Sequence, residues 1–327
     1  MSQITRRNAV LTAAAAGAAF GLDKPLGGFI GSAEAQKAPV SITEKGYAKF
    51  KVGDVEVIQV YDGMFNKPHD AAFIKNASID DTKAALKKAG LKDDSVPITF
   101  TVTFVRTKGK LVMFDSSTGG QLAPTAGLMM AKNMYAAGID PQKISTIVVT
   151  HFHGDHILGM ISKETNSRVF PDAEIVVPAA ELKYWNDPAL PAKAPDSQKG
   201  IINKIQATLG KWKNVRQVED GKDVMPGIKA IATPGHTPGH TSYLVGSGKN
   251  PLLVGGDLTN IPAINLANPG WHVAFDMDAA MAEAGRRKMF DRAISEKLTV
   301  TGYHWGLPGA GTIKKDGNGY AFVPVKV

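Results

Sequence analysis

Beyond about residue 45 the chain is a succession of short apolar runs separated by polar turns. Residues 55–60 (V-E-V-I-Q-V) alternate for most of their length and predict a strand ending at the turn Asp62-Gly63. Residues 98–106 and 110–114 are two further β-rich runs, joined by Thr107-Lys108-Gly109 as a hairpin. Ahead of them, residues 80–89 have helical spacing, and 64–79 read as a long loop carrying two Phe. A loop of that length in a compact domain is more often functional than idle. A helical stretch is expected over 126–137. Residues 145–150 (S-T-I-V-V-T) form a short run with an apolar centre, the mark of a strand buried on both faces. Further strands are expected at 174–177, 228–233, 242–245, 252–254 and 298–301. Helices are expected at 179–185, 197–209 and 277–295. Helices separate groups of strands, which suggests two β-sheets with helices outside them, an α/β layered domain.

The N-terminal region has a different pattern. Arg6-Arg7 precede an Ala-rich apolar run over 9–22, and Ala33-Glu34-Ala35 has the small-x-small form of a signal-peptidase site. The run is shorter than the roughly 20 apolar residues that a membrane span needs. Residues 1–35 are therefore expected to be a cleaved export signal and not a stable membrane anchor. The paired arginines resemble the twin-arginine signal, whose export machinery carries folded proteins. A periplasmic or secreted location follows as an expectation, with residues 36–45 as a linker and 46–327 as a hydrolase domain.

Composition narrows the chemistry. The chain has no Cys, which excludes disulfides, a thiol nucleophile and thiolate-held metals. Any metal must be held by His and carboxylates. The net charge of +8 is dispersed along the chain. Lys83, Lys87, Lys88 and Lys92 read as the wet face of a helix and its exit, so no nucleic-acid partner is expected.

Four ligand-type residues follow directly on the buried strand, in Thr150-His151-Phe152-His153-Gly154-Asp155-His156. At a strand end, residues two apart can point together. His151 and His153 can converge on one ion while Asp155 and His156 turn toward another. Neutral imidazole and carboxylate suit Zn²⁺ and other first-row divalent ions. Three more residues of metal-ligating type leave short apolar strands: His236 after 228–233, Asp257 after 252–254 and His304 after 298–301. Together they complete two sites of three or four protein ligands, gathered where open α/β layers place their sites.

His151-x-His153-x-Asp155-His156 with His236, Asp257 and His304 in that order resembles the metallo-β-lactamase superfamily. The resemblance is closest to its methyl parathion hydrolase-like branch, which also holds lactonases. The nearer likeness lies in Gly53-Asp54 with Asp62-Gly63, in Gly227-Ile228-Lys229-Ala230, in Gly235-His236-Thr237-Pro238-Gly239-His240-Thr241 and in the segment 319–325. The resemblance implies a four-layer αβ/βα sandwich and two metal ions, most often zinc, with manganese, cobalt and iron as alternatives. By position, His151, His153 and His236 would hold one ion; Asp155, His156 and His304 the other; and Asp257 would bridge them. Asp115 matches a supporting residue that hydrogen-bonds the site, and His240 matches a structural position.

Such a centre implies hydrolysis by a metal-bridging hydroxide, with Asp155 or Asp257 receiving a proton. Asp257 stands where true β-lactamases usually have Cys or Ser. The chain beyond His304 is too short for the basic helical region of glyoxalase II. Phe65, Phe73, Trp185, Ile201, Leu258, Trp271 and His272 are the expected pocket lining, suited to a small apolar ester or lactone. Trp185 matches an aromatic pocket position of the methyl parathion hydrolase branch, whereas Ile201 and the segment Pro269-Gly270-Trp271-His272 depart from it. Lactones or carboxylic esters are therefore the expected substrates. Phosphotriesters are the alternative, and a non-catalytic periplasmic metal-binding protein a further one. A homodimer is left open.

Overall fold

The computed structural model describes residues 45–327 apart from 123–125, 247 and 249. The expected export signal and all but the last residue of the expected linker lie outside the described residues. Two seven-stranded sheets form the frame. The first contains β1 (Tyr47–Val52), β2 (Val55–Pro68), β3 (Ser95–Thr107), β4 (Lys110–Phe114), β5 (Ile144–Val148), β6 (Glu174–Pro178) and β7 (Val215–Val218), in that spatial order. Its first four strands are an antiparallel meander, and β4 to β7 run parallel. The second contains β8 (Asp223–Met225), β9 (Ile228–Ala232), β10 (Thr241–Val245), β11 (Leu252–Val254), β12 (Thr299–Thr301), β13 (Ala310–Asp316) and β14 (Gly319–Pro324). It is antiparallel except where β11 meets β12.

Parallel neighbours need a crossover, and helices supply it. α1 (Ile79–Lys88) lies between the antiparallel β2 and β3, and the crossovers of the first sheet carry α2 (Met130–Ala136), α3 (Gly154–Ile157), α4 (Ala179–Trp185), α5 (Leu190–Lys193) and α6 (Asp196–Leu209). On the second, α7 (Ala279–Ser295) joins β11 to β12. Three apolar clusters separate the layers. Val57, Val105, Phe114 and Val148 of the first sheet meet Ile228, Tyr243, Val245 and Leu252 of the second. The outer face of the first sheet packs Ile58, Phe100, Ile147 and Val177 against Leu86, Met134 and Ile205 of the helices. The outer face of the second packs Leu253 and Val300 against Met289, Phe290 and Ala293. The result is a four-layer sandwich, as the sequence pattern and the resemblance led one to expect.

The β5 region shows why its pattern was readable. Ile147 and Val149 face the helices and Val148 faces the other sheet, all fully buried, so both faces at this end of the strand call for apolar residues. Elsewhere the structure corrects the expectation. The segment 64–79 is not all loop. β2 runs on to Pro68, and Asp62-Gly63 is an irregularity in its pairing with β3 where a turn was expected. A bulge lets a strand bend without ending, and its local sequence looks like a turn. The helix expected over 126–137 is confined to Met130–Ala136. The strands β1, β7, β8, β13 and β14 were not anticipated. They carry few continuous apolar residues because they lie toward the sheet margins, where one side is wet.

Candidate metal centre

The ligand-type residues all leave strands at one end of the sandwich: Asp115 follows β4, His151 to His156 follow β5, His236 follows β9, Asp257 follows β11 and His304 follows β12. Sequence positions up to 189 residues apart are thereby brought to one place, and the sheets fix their spacing. Three groups of candidate ligand atoms result, each within 4.8 Å: His151, His153 and His236; His151, His156 and Asp257; and Asp155, His156 and His304.

In the first group His153 Nδ1 lies 3.1 Å from His151 Nε2 and 2.9 Å from His236 Nε2. In the second half Asp155 Oδ2 lies 3.4 Å from His156 Nε2 and 3.5 Å from His304 Nε2. Asp257 stands between the halves. Its Oδ2 is 3.3 Å from His236 Nε2 and 3.1 Å from His304 Nε2, and its Oδ1 is 3.4 Å from His156 Nε2. Both expected ligand sets and the residue expected to bridge them thus come together.

Four of the five rings are oriented from behind. His156 Nδ1 donates to Asp115 Oδ2 at 2.8 Å, and His304 Nδ1 to the Thr99 carbonyl at 2.7 Å. The Thr150 hydroxyl donates to Asp115 Oδ2 at 2.8 Å and so accepts from His151 Nδ1 at 3.0 Å. His236 Nδ1 donates to Asp276 Oδ1 at 2.9 Å. These four rings therefore aim Nε2 at the centre, while His153 aims Nδ1. Tethering the outer nitrogen fixes the tautomer that leaves the inner one free to ligate. Asp115 does this from the left-handed region, at φ 61, held there by its bonds to Thr150 and His156. His240 also has the structural place expected of it. Its Nε2 accepts the Asp257 backbone N–H at 3.1 Å, and its Nδ1 is tied to Thr233.

The electrostatics of the two halves differ. Burial, and then the neighbouring His236, push His153 down to about 3. Burial and the neighbours His156 and His236 hold His151 well below the usual imidazole range. These are neutral rings with lone pairs turned inward. Burial works against charge on His156 and His304 too, but Asp155, Asp257 and Asp115 around the first, and Asp257 and Asp155 around the second, hold both above the usual range. Among the described residues, buried His156 Nε2 and Asp257 Oδ1 have no hydrogen-bond partner. Buried polar atoms are rarely left that way. Inward lone pairs about 3 Å apart, with an unpartnered imidazole nitrogen and carboxylate oxygen among them, are the arrangement that divalent cations satisfy. The residues therefore fit a dinuclear centre of His and Asp ligands.

Several contributors were not found from the sequence. Glu181, fully buried on α4, accepts from Phe152 N–H (2.9 Å), Trp185 Nε1–H (2.6 Å), the Thr237 hydroxyl (2.8 Å) and Gly239 N–H (2.8 Å). It ties the loop of His151 and His153 to the loop of His236. Gly239 must be Gly for this contact, since a Cβ would lie 2.1 Å from the Glu181 nitrogen. Burial raises the Glu181 pKa, and its four donors oppose that shift. Tyr303 stacks on His156, ring centres 4.0 Å apart, and donates to the Asp155 carbonyl at 2.8 Å. Asp276 and Arg286 are a further buried pair at His236. Glu181, Asp276 and Arg286 are residues of surface type, and Glu181, Tyr303 and Asp276 each have a partner 29 residues or more away along the chain.

The centre is the floor of a cavity of about 580 Å³. Trp185 and Ile201 line it as expected, with Leu122, Leu190, Ile202, Ile205 and Phe275. Phe65, Phe73, Leu258, Trp271 and His272 are not in its lining. Phe65 is in the core of the first sheet, and Phe73 stands behind Phe275 at a ring distance of 5.2 Å. Leu258 packs under α7, Trp271 packs against the edge of the core, and His272 is bonded to Glu283 at 2.9 Å.

Comparison with known proteins agrees with the site. The sequence profile of the metallo-beta-lactamase superfamily matches residues 101–293, which include every candidate ligand except His304. An N-acyl homoserine lactonase from a Bacillus species is 28% identical over 152 residues, 46% of this chain and 52% of that protein. The chain thus spans about half the length of the curated relatives it matches. Among solved structures, AidC, a dizinc quorum-quenching lactonase in complex with a product, is 26% identical with a TM-score of 0.78, over 86% of this chain and 98% of that one. AbOPH, a hydrolase of the beta lactamase superfamily, is 25% identical with a TM-score of 0.79 over the same shares. With its ligand set assembled on the strand ends of a four-layer sandwich, and with more than half its length matching the family profile, the chain belongs to the metallo-beta-lactamase superfamily.

Proposed function

We propose that the protein is a metal-dependent hydrolase of lactones and carboxylic esters. The observation that carries this reading is Asp257, which reaches ligand atoms of both clusters at the floor of a cavity whose wall carries Trp185, Leu190 and Ile201. On this reading His151, His153 and His236 would hold one divalent ion, zinc first among candidates. Asp155, His156 and His304 would hold the other, with Asp257 available to both. Bound there, two such ions supply water acidified toward neutrality and a Lewis acid for the carbonyl oxygen. The chain's own residues do the rest. Trp185, Leu190 and Ile201 exclude water and take the apolar part of the substrate. Asp155, which lines the cavity beside His304, or Asp257 would accept the proton given up by the attacking water. Similarity to a dizinc lactonase over nearly all of that chain supports the lactone over other acyl compounds.

A hydrolysis panel on zinc- or manganese-loaded protein tests this, with N-acyl homoserine lactones, an aromatic lactone, p-nitrophenyl esters and a methyl phosphotriester. Lactones or esters should be turned over fastest. A phosphotriester far ahead of both overturns the substrate class, and no turnover of any overturns the enzyme reading. Arg6-Arg7, the apolar run and Ala33-Glu34-Ala35 support export to the periplasm or beyond. N-terminal sequencing of the exported chain should then start at Gln36.

A further inference from the structure

We infer that Arg286 and Asp276 form a buried positioning couple for His236, serving one of the two metal positions and not the other; this rests on the metal-centre reading above. Asp276 and Arg286 are 4% and 1% exposed. Arg286 Nη2 donates to Asp276 Oδ2 at 2.5 Å, and Asp276 Oδ1 accepts from His236 Nδ1 at 2.9 Å. The other two guanidinium nitrogens are also engaged. Nε reaches the carbonyl of Leu258, the residue after Asp257, at 3.3 Å, and Nη1 reaches the carbonyls of Pro269 and Trp271 at 3.1 and 3.4 Å. One guanidinium therefore fixes the position of Asp276 against the loop that carries the bridging carboxylate.

A buried ion pair is a poor way to add stability, because desolvating both charges offsets most of their attraction. An apolar pair would fill the same space under α7. What the ion pair provides instead is a carboxylate that cannot rotate, with its second oxygen aimed at one ring. The main chain repeats the latch: Met277 N–H donates to the His236 carbonyl at 3.2 Å and Asp278 N–H to the Gly235 carbonyl at 2.8 Å. Asp278 in turn caps α7 by accepting from Met281 N–H. The segment between residues 276 and 278 thus holds both the backbone and the ring of His236. The other half of the centre has different anchors. His156 leans on Asp115 and His304 on the Thr99 carbonyl, and neither touches Arg286 or Asp276. An outer carboxylate on a ligating His commonly sets 10- to 100-fold of metal affinity.

The test is stepwise cobalt binding, followed by calorimetry and by the visible spectrum, in wild type, Asp276→Asn, Asp276→Ala, Arg286→Met and Arg286→Lys. Wild type should take up two equivalents. In Asp276→Ala and Arg286→Met one equivalent should weaken about 10- to 100-fold and the other stay within about twofold. Arg286→Lys, which keeps the charge but not the fork, should lie between them and wild type. In zinc-loaded wild type, nitrogen-15 NMR should find a slowly exchanging proton on His236 Nδ1, shifted in Asp276→Asn. That measurement stands even where a variant fails to fold. Equal weakening of both equivalents, unchanged binding in folded variants, or an unprotonated His236 Nδ1 overturns the inference alone. A wild-type protein that takes up no cobalt overturns the metal-centre reading and the inference with it.

Discussion

The floor of the cavity and its wall come from different kinds of structure. The floor is made of polar side chains on the ends of β4, β5, β9, β11 and β12, drawn from both sheets. Most are tethered from behind by Asp115, Thr99, Asp276 or His240. Much of the wall is made of side chains of α4, α5 and α6, among them Trp185, Leu190 and Ile201, on consecutive helices that lie between β6 and β7. A ligand on the floor can move only if a sheet moves. A residue on the wall can be exchanged at the cost of local packing. The same frame can therefore keep one reaction while the helices between β6 and β7 set which substrate is admitted. Glu181 joins the two regions, since one carboxylate accepts from Phe152 and Gly239 at the floor and from Trp185 in the wall.

This contrast breaks first at Asp257. Asp257→Asn keeps the shape but removes the charge that reaches both clusters. It should lower kcat on the order of 10²-fold or more and weaken one metal ion, measured by steady-state kinetics and elemental analysis. The next largest effect belongs to Glu181. Glu181→Ala strands four buried donors and should lower stability by roughly 3 kcal/mol or more in denaturant unfolding, while also raising KM through Trp185. An intact floor with a changed wall would show that Glu181 serves only Trp185. Trp185→Ala sharpens the comparison: it should raise KM several-fold and change the order of preferred acyl groups, with two metals still bound. The smallest effect is expected at the cavity mouth. Lys193→Ala removes an exposed ion pair with Asp187 at 2.9 Å and should leave kcat and KM within about twofold.

The floor was also the legible region. Four ligand-type residues in His151–His156 after a strand with an apolar centre cannot be read as a solvated loop at little cost, because the strand end is buried. His236, Asp257 and His304 were visible for the same reason, each leaving a short apolar run. The supports behind them were not. In Ala-Ala-Glu-Leu-Lys-Tyr-Trp, Glu181 looks like a wet helix position, and its partners Phe152 and Gly239 stand 29 residues before it and 58 after. Arg286 sits beside Arg287 on a helix whose exposed face is charged, and only the fold shows that one points inward and the other out. The wall was half-legible. Trp185 and Ile201 lie on an amphipathic pattern, but Phe65 and Phe73 were assigned to a loop that β2 partly replaces. Which face of a doubly buried strand meets a cavity is decided by the layer packed against it, which local sequence does not encode.

The account stands or falls on whether both clusters hold metal at once and act together. Metal-free protein titrated with zinc, with N-acyl homoserine lactone hydrolysis followed at each step, tests this most directly. The account predicts two ions per chain, with full activity appearing only as the second equivalent is added. Full activity at a single equivalent, with no further rise, would contradict it.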